Sequence, residues 1–177
     1  MLFNLLHATE ILSRTPAVLN SLFSNLSTEW IMANEGNETW SPFDVLGHLI
    51  HGERTDWIPR IKLILQSGES EPFETFDRFA QFEESKGKSS AELLKTFAEL
   101  RTQSLTLLAS LNITTEDLEK SGMHPQLGIV RLEQLLATWV AHDLSHLTQI
   151  TRTMAKQYGE AVGPWEAYLS VLSKRLP

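Results

Sequence analysis

The stretch RLEQLLATWVAHDLSHLTQITRTMAKQYG, residues 131–159, decides the fold. Within it Leu135, Trp139, His142, His146 and Ile150 follow one another by four, three, four and four residues, the spacing of one face of an α-helix. A helix is therefore predicted from Arg131 to Tyr158, closed by Gly159, a residue that commonly stands just past a helix end. Two of the five stripe positions are histidines. Residues four apart stack one turn above the other, so both imidazoles point toward the same interior. Buried imidazoles whose ring nitrogens lack partners cost on the order of 1–3 kcal/mol each. A divalent metal is the economical partner for both.

Outward from this helix the same periodicity recurs. Ile11, Leu12, Leu19, Leu22, Phe23 and Leu26 predict a first helix over Ala8–Leu26, with Pro16 bending it or delaying its start. Asn34–Thr39 reads as a loop. A second helix begins at the cap candidate Ser41, with Pro42 and Asp44 in its first turn, and runs to about Gln66 with a kink at Pro59. A third runs from Ser89 or Ser90 to Leu111, with Glu92 in its first turn. Ser67–Lys88 has no regular period; its Phe73, Phe76, Phe79 and Phe82 either cap one end of the core or form a lid. The linker Asn112–Val130 has a possible short helix start at Thr115–Asp117, then turn residues. A short helix is predicted over Pro164–Arg175, and strand-like alternation appears nowhere at useful length. The expected architecture is an all-α single domain over residues 1–177, a four-helix bundle with a short extra C-terminal helix.

Composition agrees and excludes several classes. The chain has 177 residues, 42% of them hydrophobic and 21% charged, the usage of an ordinary folded domain. Fifteen Lys and Arg against twenty-two Asp and Glu give a net charge of −7, with no basic stripe for a nucleic-acid backbone. No run approaches the roughly 18 apolar residues of a membrane span. The N-terminal residues lack the basic start and long apolar run of a secretory leader, and the absence of cysteine fits the expectation of a cytoplasmic protein. There is no cysteine, so disulfides, thiolate ligands and a cysteine nucleophile are excluded. Glu-x-x-His is also absent, which argues against a ferritin-like di-iron bundle. A haem would leave the paired histidines unexplained.

Two histidines alone leave a metal under-coordinated, because imidazole-rich sites commonly use three protein ligands and keep one position open. The second helix offers His48 in Gly47-His48-Leu49-Ile50-His51, with His51 as competitor. His48 is preferred because its neighbours are aliphatic, whereas Gly52, Glu53, Arg54 and Asp56 follow His51. The candidate ligands are thus His48, His142 and His146. Neutral imidazoles leave a divalent site net positive, favouring an anionic fourth ligand. Three of them suit zinc, nickel, copper or iron alike.

Other candidates are weaker. Asp143, next to His142, is a conceivable acceptor for an imidazole N–H, but at i+1 it points about 100° away and reads better as a flank or partner-helix contact. Glu53 is a candidate general base or substrate contact, with an ordinary solvated carboxylate the simpler reading. His51 and His124 are candidates for the mouth of the site. Trp57, Phe76, Trp139 and Trp165 read as core.

The segments Trp40-Ser41-Pro42-Phe43-Asp44-Val45-Leu46-Gly47-His48-Leu49 and Trp139-Val140-Ala141-His142-Asp143-Leu144-Ser145-His146-Leu147-Thr148-Gln149-Ile150 resemble the two signature helices of the DinB-like superfamily, bacterial DinB/YfiT-type metalloproteins. The resemblance covers most of the chain and places the family's metal triad on His48, His142 and His146. It implies an up-down-down-up bundle, a nickel, zinc or similar divalent ion (iron and manganese included) and frequent homodimers. It also implies a metal-dependent hydrolase or a thiol S-transferase acting on a small molecule. The ion would lower the pKa of a bound water or activate a thiolate cosubstrate such as bacillithiol or mycothiol. With no cysteine in the chain, such a thiol comes from outside. The alternative is a non-catalytic bundle whose metal is structural or vestigial.

Overall fold

The computed structural model describes residues 2–172 of the chain. Its first rod starts earlier than periodicity alone indicates. The Asn4 side chain accepts a hydrogen bond from the His7 amide and caps α1, Leu5–Leu12. The predicted single helix is then divided, for α2 spans Thr15–Phe23 with Pro16 in its opening turn, where a missing N–H removes no bond. The following segment carries a short helix, α3, Thr28–Met32, which no periodic signal announces.

The second rod begins where Ser41 indicates. Its hydroxyl accepts from the Asp44 amide at 3.2 Å while the Asp44 carboxylate accepts from the Ser41 amide at 2.9 Å, a reciprocal cap that starts α4, Pro42–Thr55. The rod breaks at Asp56 rather than at Pro59, and α5 resumes over Trp57–Ser67. Pro59 is the third residue of α5. It has no N–H to donate to the Thr55 carbonyl, and its ring crowds that carbonyl, so the irregularity falls before the proline.

The aperiodic stretch is more ordered than its pattern suggests. It holds a 3-10 turn at Gly68–Ser70 and a short helix, α6, Ala80–Glu84. Helix α6 lies against α4 at Gly47, where a Cβ would stand 2.5 Å from the Ser85 hydroxyl. The third rod, α7, Ser90–Ser110, is capped reciprocally by Ser89 and Glu92, which settles the choice between Ser89 and Ser90. After α8, Thr115–Leu118, come two strands that the sequence did not announce. They are β1, Ser121–His124, and β2, Gly128–Arg131, an antiparallel hairpin pairing Gly122 with Val130 and Met123 with Ile129. Four residues a side are too few for alternation to register. The hairpin sits on α5 at Gly122, where a Cβ would meet Ile64 at 2.7 Å.

The fourth rod, α9, spans Leu132–Lys156, within the predicted bounds. Past it the predicted C-terminal α-helix is replaced by 3-10 turns at Gly163–Tyr168 and Ser170–Leu172. Gly163 takes φ +53°, and Trp165 and Tyr168 are exposed, so no buried face supports a full helix. Residues 173–175 of that expected helix lie outside the described residues.

The first rod packs on the third and fourth, and so does the second, so rods one and two occupy a diagonal of a four-helix bundle. The connections from the first rod to the second and from the third to the fourth are accordingly long. The core falls into two apolar clusters. One gathers Leu12, Trp57, Ile61, Leu108 and Trp139; the other Leu19, Leu49, Phe97 and Ile150. Between them in sequence, the four rods bring together a set of buried polar residues, Thr15, Glu53, Arg101 and Asp143. No helix among the described residues is long and apolar enough to cross a membrane.

Candidate metal centre

The apolar face of α4 packs into the bundle, burying His48 between aliphatic neighbours and facing His142 of α9. His142 and His146 come from adjacent turns of α9. The His142 Nε2 lies 3.1 Å from His48 Nε2 and 3.1 Å from His146 Nε2, and the three ligand atoms all fall within 4.8 Å of one another. An ion bound tetrahedrally by imidazoles at about 2.0–2.1 Å holds its ligand atoms about 3.3 Å apart. The two 3.1 Å separations from His142 lie close to that spacing.

The ring chemistry fits as well. The Gln149 side-chain oxygen lies 2.8 Å from His146 Nδ1, which makes Nδ1 the protonated nitrogen and leaves the Nε2 lone pair free. Burial pushes His48 down to about 3 and His142 down to about 2, reinforced by the neighbouring histidines and by Arg78 and Arg101 respectively. His146 is lowered too, by burial, against opposing pulls from Gln149 and Asp143. All three rings are neutral near pH 7, the form that binds metal. The Nδ1 atoms of His48 and His142 are buried without partners.

Aromatic rings collar the triad. Trp40 lies 4.9 Å from the His48 ring and stacks at 6.5 Å on His146. Phe76 meets His48 edge-on at 5.3 Å, and Trp57 meets His142 at 5.1 Å. Trp57 and Trp139 are core, as expected, whereas Phe76 lines a cavity and Trp165 is exposed. Trp40 was missed in the sequence; its signal is its place immediately before the Ser41 cap. Above the triad opens a cavity of about 1040 Å³, walled by Trp40, Phe76, His124 and three arginines.

The weaker candidates separate. His51 is buried with Nδ1 2.9 Å from Glu84, which also holds Arg54, so it ties α4 to α6 and does not line the cavity. His124 does line it, although its Nδ1 accepts the Gln126 and Leu127 amides of the hairpin turn. Glu53 is not a solvated carboxylate. Its side chain is fully buried, accepting from Arg101 at 2.8 and 3.0 Å and from the Trp139 indole at 3.2 Å, and it does not line the cavity. Asp143 makes the partner-helix contact expected of it, binding Arg101 at 2.6 and 3.0 Å and Thr15 at 2.7 Å. Position i+1 turns it out of the triad and into the next layer.

Comparison with known proteins now adds the family. The model of the DinB superfamily matches residues 11–150, from the end of α1 into α9, and contains all three histidines. Among solved structures, YfiT from Bacillus subtilis, described as a probable metal-dependent hydrolase with an unusual four-helix bundle topology, superposes with a TM-score of 0.73 at 24% identity. The alignment covers 86% of each chain. None of the curated proteins matches. At that identity the structural likeness speaks for the fold, while the family match over most of the sequence carries the assignment: this chain belongs to the DinB superfamily.

Proposed function

We propose that the chain is a mononuclear divalent-metal enzyme acting on a small molecule, with His48, His142 and His146 as ligands through Nε2. The reaction is hydrolysis, or transfer of the small molecule to an external thiol. One observation carries this reading: three neutral imidazoles converge with their Nε2 atoms together on the floor of an open cavity. A purely structural site is normally closed by a fourth protein ligand, whereas a reactive one keeps a position open. Among the described residues the cluster comprises those three ligands alone.

Zinc or nickel suits three imidazoles, and either supplies Lewis acidity to whatever occupies the open position. The chain's own residues do the rest. Gln149 holds the His146 ring and its tautomer, Trp40 and Phe76 wall off water beside His48, and Trp57 fixes the His142 ring from behind. The description of YfiT as a probable metal-dependent hydrolase supports the hydrolytic branch.

Protein prepared without a histidine tag contains about one divalent ion per chain by elemental analysis, and His142→Ala loses both the ion and turnover of ester, amide or thiol-conjugation substrates. Stoichiometric metal retained in that variant overturns the assignment. Full metal without any turnover selects the structural role instead.

A further inference from the structure

Three arginines stand on the cavity wall, Arg60, Arg78 and Arg152, against two carboxylates, Glu38 and Asp56. Their circumstances differ. Arg60 is paired to Asp56 at 2.6 Å and lies over the Phe73 ring. Arg152 donates to Glu35 at 2.7 Å, and Glu35 also takes Lys156 and Thr153. Arg78 has no hydrogen-bond or ion-pair partner among the described residues. The chain carries twenty-two acidic residues and a net charge of −7, so carboxylates to neutralise it are not scarce.

Position adds to this. Arg78 lies two residues after Phe76, whose ring packs on His48, and its charge contributes to lowering the proton affinity of His48. Arg78 thus places one unpaired positive charge on the wall of the cavity that the triad lines, and a divalent ion on the histidines would add to it. The remaining lining beside His48 is aromatic, Trp40 and Phe76. A ligand matching these three features has a metal-seeking end, an apolar middle and an anionic end.

We propose that the molecule taken into the cavity carries a carboxylate or phosphate that Arg78 binds while its reacting end lies over His48, His142 and His146. A guanidinium offers paired N–H donors that match either oxyanion, and Arg78 is the lining arginine with these donors uncommitted. This rests on the cavity being the reaction site, as put forward above. The anionic group arrives on the substrate itself or on a thiol cosubstrate, and the recognising chemistry is the same for both.

The test uses the zinc-loaded full chain and two matched probe pairs followed by calorimetry. One pair is 6-mercaptohexanoate and 6-mercaptohexanol; the other is the monohydroxamate of adipic acid and hexanohydroxamic acid. In at least one pair the carboxylate-tailed member binds about tenfold tighter than the neutral one. That advantage disappears in Arg78→Gln and is kept in part by Arg78→Lys, while neutral-probe affinity and zinc content stay at wild-type values. The thiol pair responding places the anion on the cosubstrate; the hydroxamate pair responding places it on the substrate. No tail preference in either pair, or a preference that survives Arg78→Gln, overturns the proposal. A parallel arm on metal-free chain compares phenyl phosphate with phenol through tryptophan fluorescence. A chain that takes no zinc but binds phenyl phosphate in an Arg78-dependent way fails the metal reading and keeps the anion site. Loss of that dependence as well fails both.

Discussion

Two buried polar groups share the same pair of helices and behave as opposites. Helix α4 supplies His48 to one and Glu53 to the other; α9 supplies His142 and His146 to the first and Asp143 to the second. In the Arg101 layer nearly every polar atom is matched. The guanidinium holds two carboxylates and the Leu12 carbonyl, with Thr15 and Trp139 completing the set and one Glu53 oxygen left over. In the histidine layer three Nε2 atoms face one another and two further ring nitrogens have no partner. A matched layer needs nothing from outside and serves the scaffold. An unmatched one, placed under a cavity, is built for a ligand.

That contrast is open to direct attack. The largest effect is expected from Arg101→Ala, which strands two buried carboxylates and costs about 3–5 kcal/mol. Urea denaturation of the metal-free protein measures it, and a loss under about 1 kcal/mol would erase the distinction between the layers. Next comes acid. The folded-state values of His48 and His142, about 3 and about 2, lie below the unfolded 6.5, so the unfolded chain binds more protons as pH falls through that window. The metal-free fold therefore loses on the order of 2 kcal/mol per histidine between pH 7.5 and 5, and His142→Ala flattens the slope. An unchanged slope in that variant contradicts the neutral-triad picture. The smallest effect is expected from Gln149→Leu, which frees the His146 tautomer. Metal affinity falls about 10- to 100-fold, by competition with a chelator, with the fold intact.

Much of the centre was legible in advance. The four-residue repeat of one helix brings His142 and His146 together, and the aliphatic setting of His48 favours it over His51 as the interior residue, so local pattern pointed to the cluster the structure forms. Glu53 shows where that logic stops. Its neighbours Arg54 and Asp56 suggest a wet surface, and its partner Arg101 lies 48 positions away, beyond the reach of any local pattern. The same holds for the hairpin, whose strands are fixed by the Met123 carbonyl accepting from Phe73 and by the seat that Gly122 makes on α5.

By itself the sequence determined four helical rods, the cap at Ser41, a cap at Ser89 or Ser90, and a histidine stripe facing inward, because helix periodicity and capping are properties of neighbouring residues. Only the tertiary structure decided that Glu53 is sealed against Arg101, that Trp40 and Phe76 wall the triad, and that Arg78 lines the same cavity with no hydrogen-bond or ion-pair partner among the described residues. Those outcomes depend on which distant side chains the crossing of the rods brings together, and pairing across space leaves no repeat in the chain.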